Sequence, residues 1–85
     1  VNIEGWNKYV SCFRENFEGC TFKSELISKC GGNEDIAIAI YYHSRENALK
    51  WMDSPVPALD NKVPSREISN GGSNLVRQVI WRIPC

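Results

Sequence analysis

No segment of this chain runs far before a helix-stopping residue interrupts it: Gly19, Gly31-Gly32, Pro55, Pro57, Pro64, Gly71-Gly72 and Pro84 cut it into short pieces. Glycine reaches the left-handed conformation that closes a helix, and proline lacks the N–H that would continue one. Pieces this short are not stable alone and hold together only by burying an apolar face on one another. With 85 residues, the chain buries only about 60% of the surface its unfolded form exposes. The core is therefore modest, and every apolar stripe counts toward it. A hydrophobic share of 42%, with three each of Trp, Tyr and Phe, is enough to supply that core and argues against disorder.

The stripes read as helical. Over residues 4–18, Trp6, Val10, Phe13 and Phe17 recur at helical spacing, and Gly19 ends the run. Thr21 is placed to cap a second helix carrying Phe22, Leu26, Ile27 and Cys30, which Gly31-Gly32 closes as a left-handed stop. Asn33 is the expected N-cap of a third, with Glu34 and Asp35 at the positive end of its dipole. The apolar run at residues 36–42 fits two patterns: Ile36, Ile38 and Ile40 alternate as in a strand, whereas Ile36, Ala39, Ile40 and His43 share a helical face. The helix-start signals ahead of it, and the lack of an obvious partner strand, favour helix. Ser44 is expected to cap a short helix that turns Ala48, Leu49 and Met52 inward and stops before Pro55. An ordered loop follows over residues 54–63. Pro64 then opens a short helix over residues 65–69, and Ser73 opens a last one with Leu75, Val76, Val79, Ile80 and Ile83 as its stripe. The expected fold is all-α, a small bundle of about five to six short helices forming a single domain over residues 1–85.

Composition excludes several function classes. Ten basic and ten acidic side chains cancel; residues 1–42 carry four Lys/Arg against six Asp/Glu, and residues 43–85 carry six against four. No strong field draws such a chain to nucleic acid or an anionic membrane. The longest apolar run, residues 36–42, falls far short of the ~20 residues that span a bilayer, and no apolar segment follows a basic start. A cytoplasmic location is expected, with Cys12, Cys20, Cys30 and Cys85 as free thiols. The cysteines contain no Cys-x-x-Cys and the only histidine is His43, so no metal site is expected. Cys12 and Cys30 fall near apolar faces, as small buried hydrophobes do. His43 lies next to Tyr41 and Tyr42, but no motif places an acid or a nucleophile beside it. Neither glycine pair has the spaced glycines and following Lys of a phosphate loop. No catalytic residue and no cofactor are expected.

The stretch from Asn47 to Pro64, with Ala48, Trp51, Pro55, Leu59 and Pro64 in that order, continues through Gly72 and Val76 to Ile80-Trp81-Arg82-Ile83. Over roughly residues 34–83 it resembles the toxin-binding domain of Xre/MbcA/ParS-type antitoxins. Those domains show an Ala-x-x-Trp-Leu helix, a proline loop ending in Leu, a Pro-opened helix, and a Leu-x-Arg-Ile-like close. Two departures stand out. Ser65-Arg66-Glu67-Ile68 replaces the usual Leu-x-x-Leu helix, and Pro84-Cys85 stands where relatives commonly carry Gly and further residues. The resemblance implies a helical, non-catalytic module that binds and neutralises a RES-type toxin, an enzyme class that consumes NAD. Residues 1–33 are then divergent N-terminal helices. Relatives often carry a DNA-binding region upstream, but residues 21–30 offer only Lys23 and Lys29 against Glu25, too few cations for a DNA-reading helix.

Two tryptophans divide between core and surface. Trp51, beside Leu49 and Met52, is expected in the core. Trp81 lies off the last helix's stripe, flanked by Arg82 and one turn from Arg77, and is the better interface anchor. Trp81, Arg77 and Arg82, together with Pro57, Leu59 and Asn61 of the proline loop, form the expected partner-binding set. The rival reading is an orphan helical protein of mobile-element type with a structural or small-ligand-binding role. A homo-oligomer is expected, because a second subunit enlarges a marginal core.

Overall fold

The computed structural model describes residues 3–83; the predictions for Pro84 and Cys85 lie outside the described residues. The regular structure of the described residues is helical. It comprises α1 (Ile3–Ser11), α2 (Arg14–Phe17), α3 (Lys23–Lys29), α4 (Glu34–Ser44), α5 (Ala48–Met52), α6 (Pro64–Ser69) and α7 (Ser73–Trp81), with 3₁₀ turns at Arg45–Asn47 and Pro57–Leu59. Among the described residues the only β pairing is an isolated antiparallel bridge between Val56 and Lys62.

The ambiguous run is the central helix. Ile36, Ala37, Ile38, Ala39 and Ile40 of α4 are all buried, and α1, α2, α3, α5 and α7 all pack on it. A helix covered on every side needs no polar face, which is why neither alternation nor helical periodicity singled out one pattern. Burying each isoleucine contributes roughly 1.5–3 kcal/mol. Trp6, Val10, Phe17, Leu26, Cys30, Met52, Leu59, Val76 and Ile80 close the core around it.

The expected helix over residues 4–18 is two helices. Ser11 Oγ and Cys12 Sγ each bond back to a carbonyl four residues earlier, at Asn7 (2.7 Å) and Lys8 (3.3 Å). Cys12 and Phe13 then donate to Tyr9 and Val10, three residues back. Such back-bonding competes with the helix and bends it, and Phe13 sits at φ −110°, ψ 0° between α1 and α2. The break keeps Trp6, Val10 and Phe17 in the core but turns Phe13 onto Tyr42, the rings stacked at 3.7 Å. It also leaves Cys12 exposed, contrary to its expected burial.

Predicted caps shift by a residue or change purpose. Phe22 rather than Thr21 holds the N-cap position of α3, its ring against Tyr41. Ser44 is the last residue of α4 and not the cap of α5, which begins after Asn47. Gly72 precedes α7, so Ser73 is its first helical residue. Along α7, Val76 and Ile80 are buried, while Leu75, expected in the stripe, is 41% exposed. Trp51 is only partly buried, against the core's edge.

The glycine stops behave as their chemistry requires. After α3, Gly31 and Gly32 take φ +65° and +85°. Gly32 N–H bonds to Ile27 O (2.9 Å) and Gly31 N–H to Ser28 O (3.0 Å), the paired closure of a left-handed helix end. Gly71 and Gly72 repeat it after α6, bonding to Ile68 O (3.0 Å) and Glu67 O (2.8 Å). A Cβ on Gly31 would lie 2.8 Å from Ile68 Cγ2, whereas one on Gly32 would meet nothing within 4 Å. Both alanine substitutions carry the left-handed cost of about 1–2 kcal/mol, and only Gly31→Ala adds a clash. In urea denaturation, Gly31→Ala is therefore expected to lower stability more than Gly32→Ala does.

Candidate interaction surface

The polar residues that matter most gather where the apolar stretch of α4 begins. Asp35, in the first turn of α4, accepts from Trp6 Nε1 of α1 (2.7 Å to Oδ2) and from Arg77 of α7 (Nε to Oδ2 2.7 Å, Nη2 to Oδ1 3.3 Å). Arg77 also donates from Nη2 to Asn33 Oδ1 (3.0 Å) and from Nη1 to Asn74 Oδ1 (2.9 Å). Asn33 stands at the N-cap position of α4 as expected, but its side chain does not cap the helix. Its Oδ1 faces Arg77, and its Nδ2 donates to Cys30 O (2.7 Å). One carboxylate thereby joins α1, α4 and α7.

Burial pushes the Asp35 carboxyl up, but the bonds from Arg77 and Trp6, the Arg77 charge and the Ile36 amide outweigh it and hold the group below its usual range. The ion pair is mostly shielded, with 14% of the Arg77 side chain and 24% of the Asp35 side chain exposed. Such a pair is worth more than the surface pairs Arg14–Glu34 and Lys23–Glu18. Among the described residues, every buried side-chain polar atom has a hydrogen-bond partner.

Around this clamp lies an aromatic strip. Trp81, four residues after Arg77 on α7, is 40% exposed and packs its ring on Tyr9 (5.1 Å, edge-on) and Trp6 (6.2 Å). Tyr9 continues to Phe13 (4.8 Å) and His43 (6.2 Å), and its hydroxyl shares a hydrogen bond with His43 Nε2. Burial holds the His43 imidazole below its ordinary pKa. Arg45, at φ +52°, lies over the Tyr42 and Tyr41 rings and donates to Asn16 Oδ1. Trp81 is therefore exposed, as expected. Arg77 is turned inward, and its charge is answered by Asp35.

The proline loop is folded on itself. Val56 N–H bonds to Lys62 O (3.1 Å) and Asn61 N–H to Val56 O (3.0 Å), while Asp60 and Asn61 take left-handed φ of 56° and 64°. Asn and Asp tolerate that region best after glycine. Pro57 and Asn61 are exposed, as is Arg82 at the end of α7. Leu59 is only 2% exposed; it pins the loop to the core beneath α7 rather than facing outward. The structure thus places Arg77 and Trp81 on α7 with Arg82 directly after it, and packs the Pro57–Leu59 turn against that helix, whereas Asn61 lies beside α6, lining a cleft with Arg66, Glu67 and Asn70. Trp6, Tyr9 and Asp35 complete the arrangement and were missed as site residues, because they are 29 to 75 residues from their partners and local pattern gives Trp6 and Asp35 other roles.

Other features are self-contained. A shallow cleft of about 540 Å³ is lined by Ser28, Lys29, Asp53, Ser65, Arg66, Ser69 and Asn70. Two of its charges pair with each other: Lys29 Nζ lies 2.6 Å from Asp53, which also accepts from Ser65 (3.1 Å), while Arg66 stands exposed. Lys29 and Lys23, the cations weighed for DNA contact, are both engaged with carboxylates. Among the described residues, no group of three His, Cys, Asp or Glu is placed to hold a metal ion. None of their helices is long and apolar enough to cross a membrane.

Two solution measurements follow from these environments. Asp35 titrates lower when folded than its unfolded value of about 3.9. Its stabilisation is therefore complete above that value and is lost as pH falls through the folded pKa; Asp35→Asn is expected to flatten the acid limb of stability against pH. The Cys30 thiol is pushed up to about 12, by burial first and then by the Asp35 charge, and Cys20 is buried, whereas Cys12 is exposed. Maleimide labelling of the native protein at neutral pH, read by peptide mapping, is expected to modify Cys12 well before Cys20 and Cys30.

The family model for the antitoxin Xre/MbcA/ParS C-terminal toxin-binding domain matches residues 37–84. The match begins inside α4 and takes in α5 to α7, the proline loop and Trp81, leaving α1 to α3, Asn33 and Asp35 ahead of it. No curated protein and no solved structure matches the chain.

Proposed function

Because the chain belongs to the Xre/MbcA/ParS antitoxin family through its C-terminal toxin-binding domain, we propose that it neutralises a RES-type, NAD-consuming toxin by covering that enzyme's active-site mouth. The observation that carries the reading is Trp81: a large ring left 40% exposed on a rigid helix within the family-matched residues. Interface energy concentrates in such anchors, with Trp and Arg prominent among them. Occlusion makes and breaks no bond, so the work falls to a rigid surface and not to acid or nucleophile chemistry. Arg82 beside Trp81 and Asn61 on the self-closed loop supply polar groups around it, and Pro57 adds an exposed apolar contact. Leu59 and Arg77 hold that surface in place from below.

The protein acts in the cytoplasm, and its helix α3 does not read DNA. The cations of α3 support the last point, since both are held by carboxylates. Self-association through exposed side chains such as Leu75 and Trp81 would compete with toxin for the same face.

Size-exclusion chromatography with light scattering, under reducing conditions, on the protein alone and then mixed with a RES-type enzyme encoded beside it, tests the reading. A stable mixed complex is expected, together with loss of NAD consumption. No complex, but a clean homodimer, would move the assignment to the orphan structural module. Within the complex, Trp81→Ala is expected to weaken binding by about tenfold or more, as loss of a hot-spot ring does, and also to lower the melting temperature of the free protein, because the ring packs on Tyr9 and Trp6.

A further inference from the structure

We infer that Asp35 is a positioning residue for the Trp81 surface, and that α1, which lies outside the family-matched residues, thereby sets how that surface is presented. The inference rests on the toxin-binding reading for its consequence, but not for its geometry.

The Trp81 ring leans on Trp6 and Tyr9, both on α1, at 6.2 and 5.1 Å. What fixes Trp6 in rotation is its single polar atom, the indole N–H, held 2.7 Å from Asp35 Oδ2. The same oxygen takes Arg77 Nε at 2.7 Å, and Arg77 sits one helical turn before Trp81 on the same face of α7. Asp35 therefore holds one residue on each helix: Trp6, whose ring touches that of Trp81, and Arg77, one turn before Trp81 on α7. The two bonds also lock the register of α1 against α7, which are otherwise joined by apolar contacts that tolerate sliding. Apolar packing fills the interface, and the directional bonds choose one arrangement within it. Asn33 and Asn74 complete the guanidinium's hydrogen bonding, leaving Arg77 committed to the clamp rather than to a partner.

The test separates positioning from plain loss of stability. In the full-length protein, the indole N–H resonances of Trp6 and Trp81 are followed by heteronuclear NMR in Asp35→Asn, in Trp6→Phe, which keeps a ring but removes the donor, and in Ile68→Val, a core change in α6. Asp35→Asn is expected to move the Trp81 resonance as well as that of Trp6. Trp6→Phe is expected to move the Trp81 resonance too, and Ile68→Val to leave both in place. An unmoved Trp81 resonance in a folded Asp35→Asn protein overturns the inference whatever the partner is.

The second arm measures binding to the RES-type enzyme that forms the complex. Asp35→Asn is expected to weaken binding by about tenfold in the wild-type background, but by less than about twofold once Trp81→Ala is present, as coupled residues require. Equal losses in both backgrounds would mean that Asp35 acts independently of Trp81. Failure of the wild-type protein to bind at all would sink the toxin-binding reading, while the resonance measurement would still judge the positioning.

Discussion

A helix with no polar face dictates the rest of this molecule. Five consecutive buried residues in α4 leave no side that could meet water, so every neighbouring helix is needed as cover. Of the helices that pack on α4, three, α1 to α3, come from residues ahead of the family-matched region. All three contribute to that cover, through Trp6 and Val10 of α1, Phe17 of α2 and Leu26 of α3, each almost fully buried. Exposing even one or two of the isoleucines would cost several kcal/mol, a large part of the net stability of about 5–15 kcal/mol typical of a domain.

The polar groups are arranged as a consequence of that burial. They sit at the two ends of α4, where the apolar stretch stops. At one end Asp35 collects an indole and a guanidinium; at the other His43 and Arg45 meet tyrosine rings. At the edge of a low-dielectric core a hydrogen bond is stronger than in water, and an unmade one is correspondingly costly. The Asp35 clamp is thus both affordable and specific. It lies half outside the residues that define the family, which ties a divergent N-terminal part to a recognisable C-terminal one.

Much of the fold was legible because its punctuation is chemical. Gly31-Gly32, Pro64 and Gly71-Gly72 stop or start helices for reasons that act within a few residues, and each does so in the structure. The all-α class followed from spacing together with helix-start signals, and the exposure of Trp81 from its place off the last helix's stripe among arginines. What escaped depended on distance or on competition. The break after Ser11 comes from side chains bonding to their own helix, which periodicity cannot register. Thr21 and Ser44 have cap chemistry but lost the cap positions, to Phe22, whose ring packs on Tyr41, and to Asn47. Asp35 carried a sufficient local explanation in the helix dipole, and that explanation hid its tertiary one.

The loop after α5 has a mechanical consequence. Its two strand-like residues, Val56 and Lys62, are tied by a hydrogen bond, its turn sits in left-handed geometry at Asp60 and Asn61, and Leu59 is sunk into the core like a rivet. Flexible loops surrender freedom when they are gripped, at roughly 0.5–1.5 kcal/mol for each side chain stilled. This one surrendered its backbone freedom when the chain folded. A body pressed against it meets a fixed contour and not a yielding one, so shape mismatch there is resisted rather than absorbed.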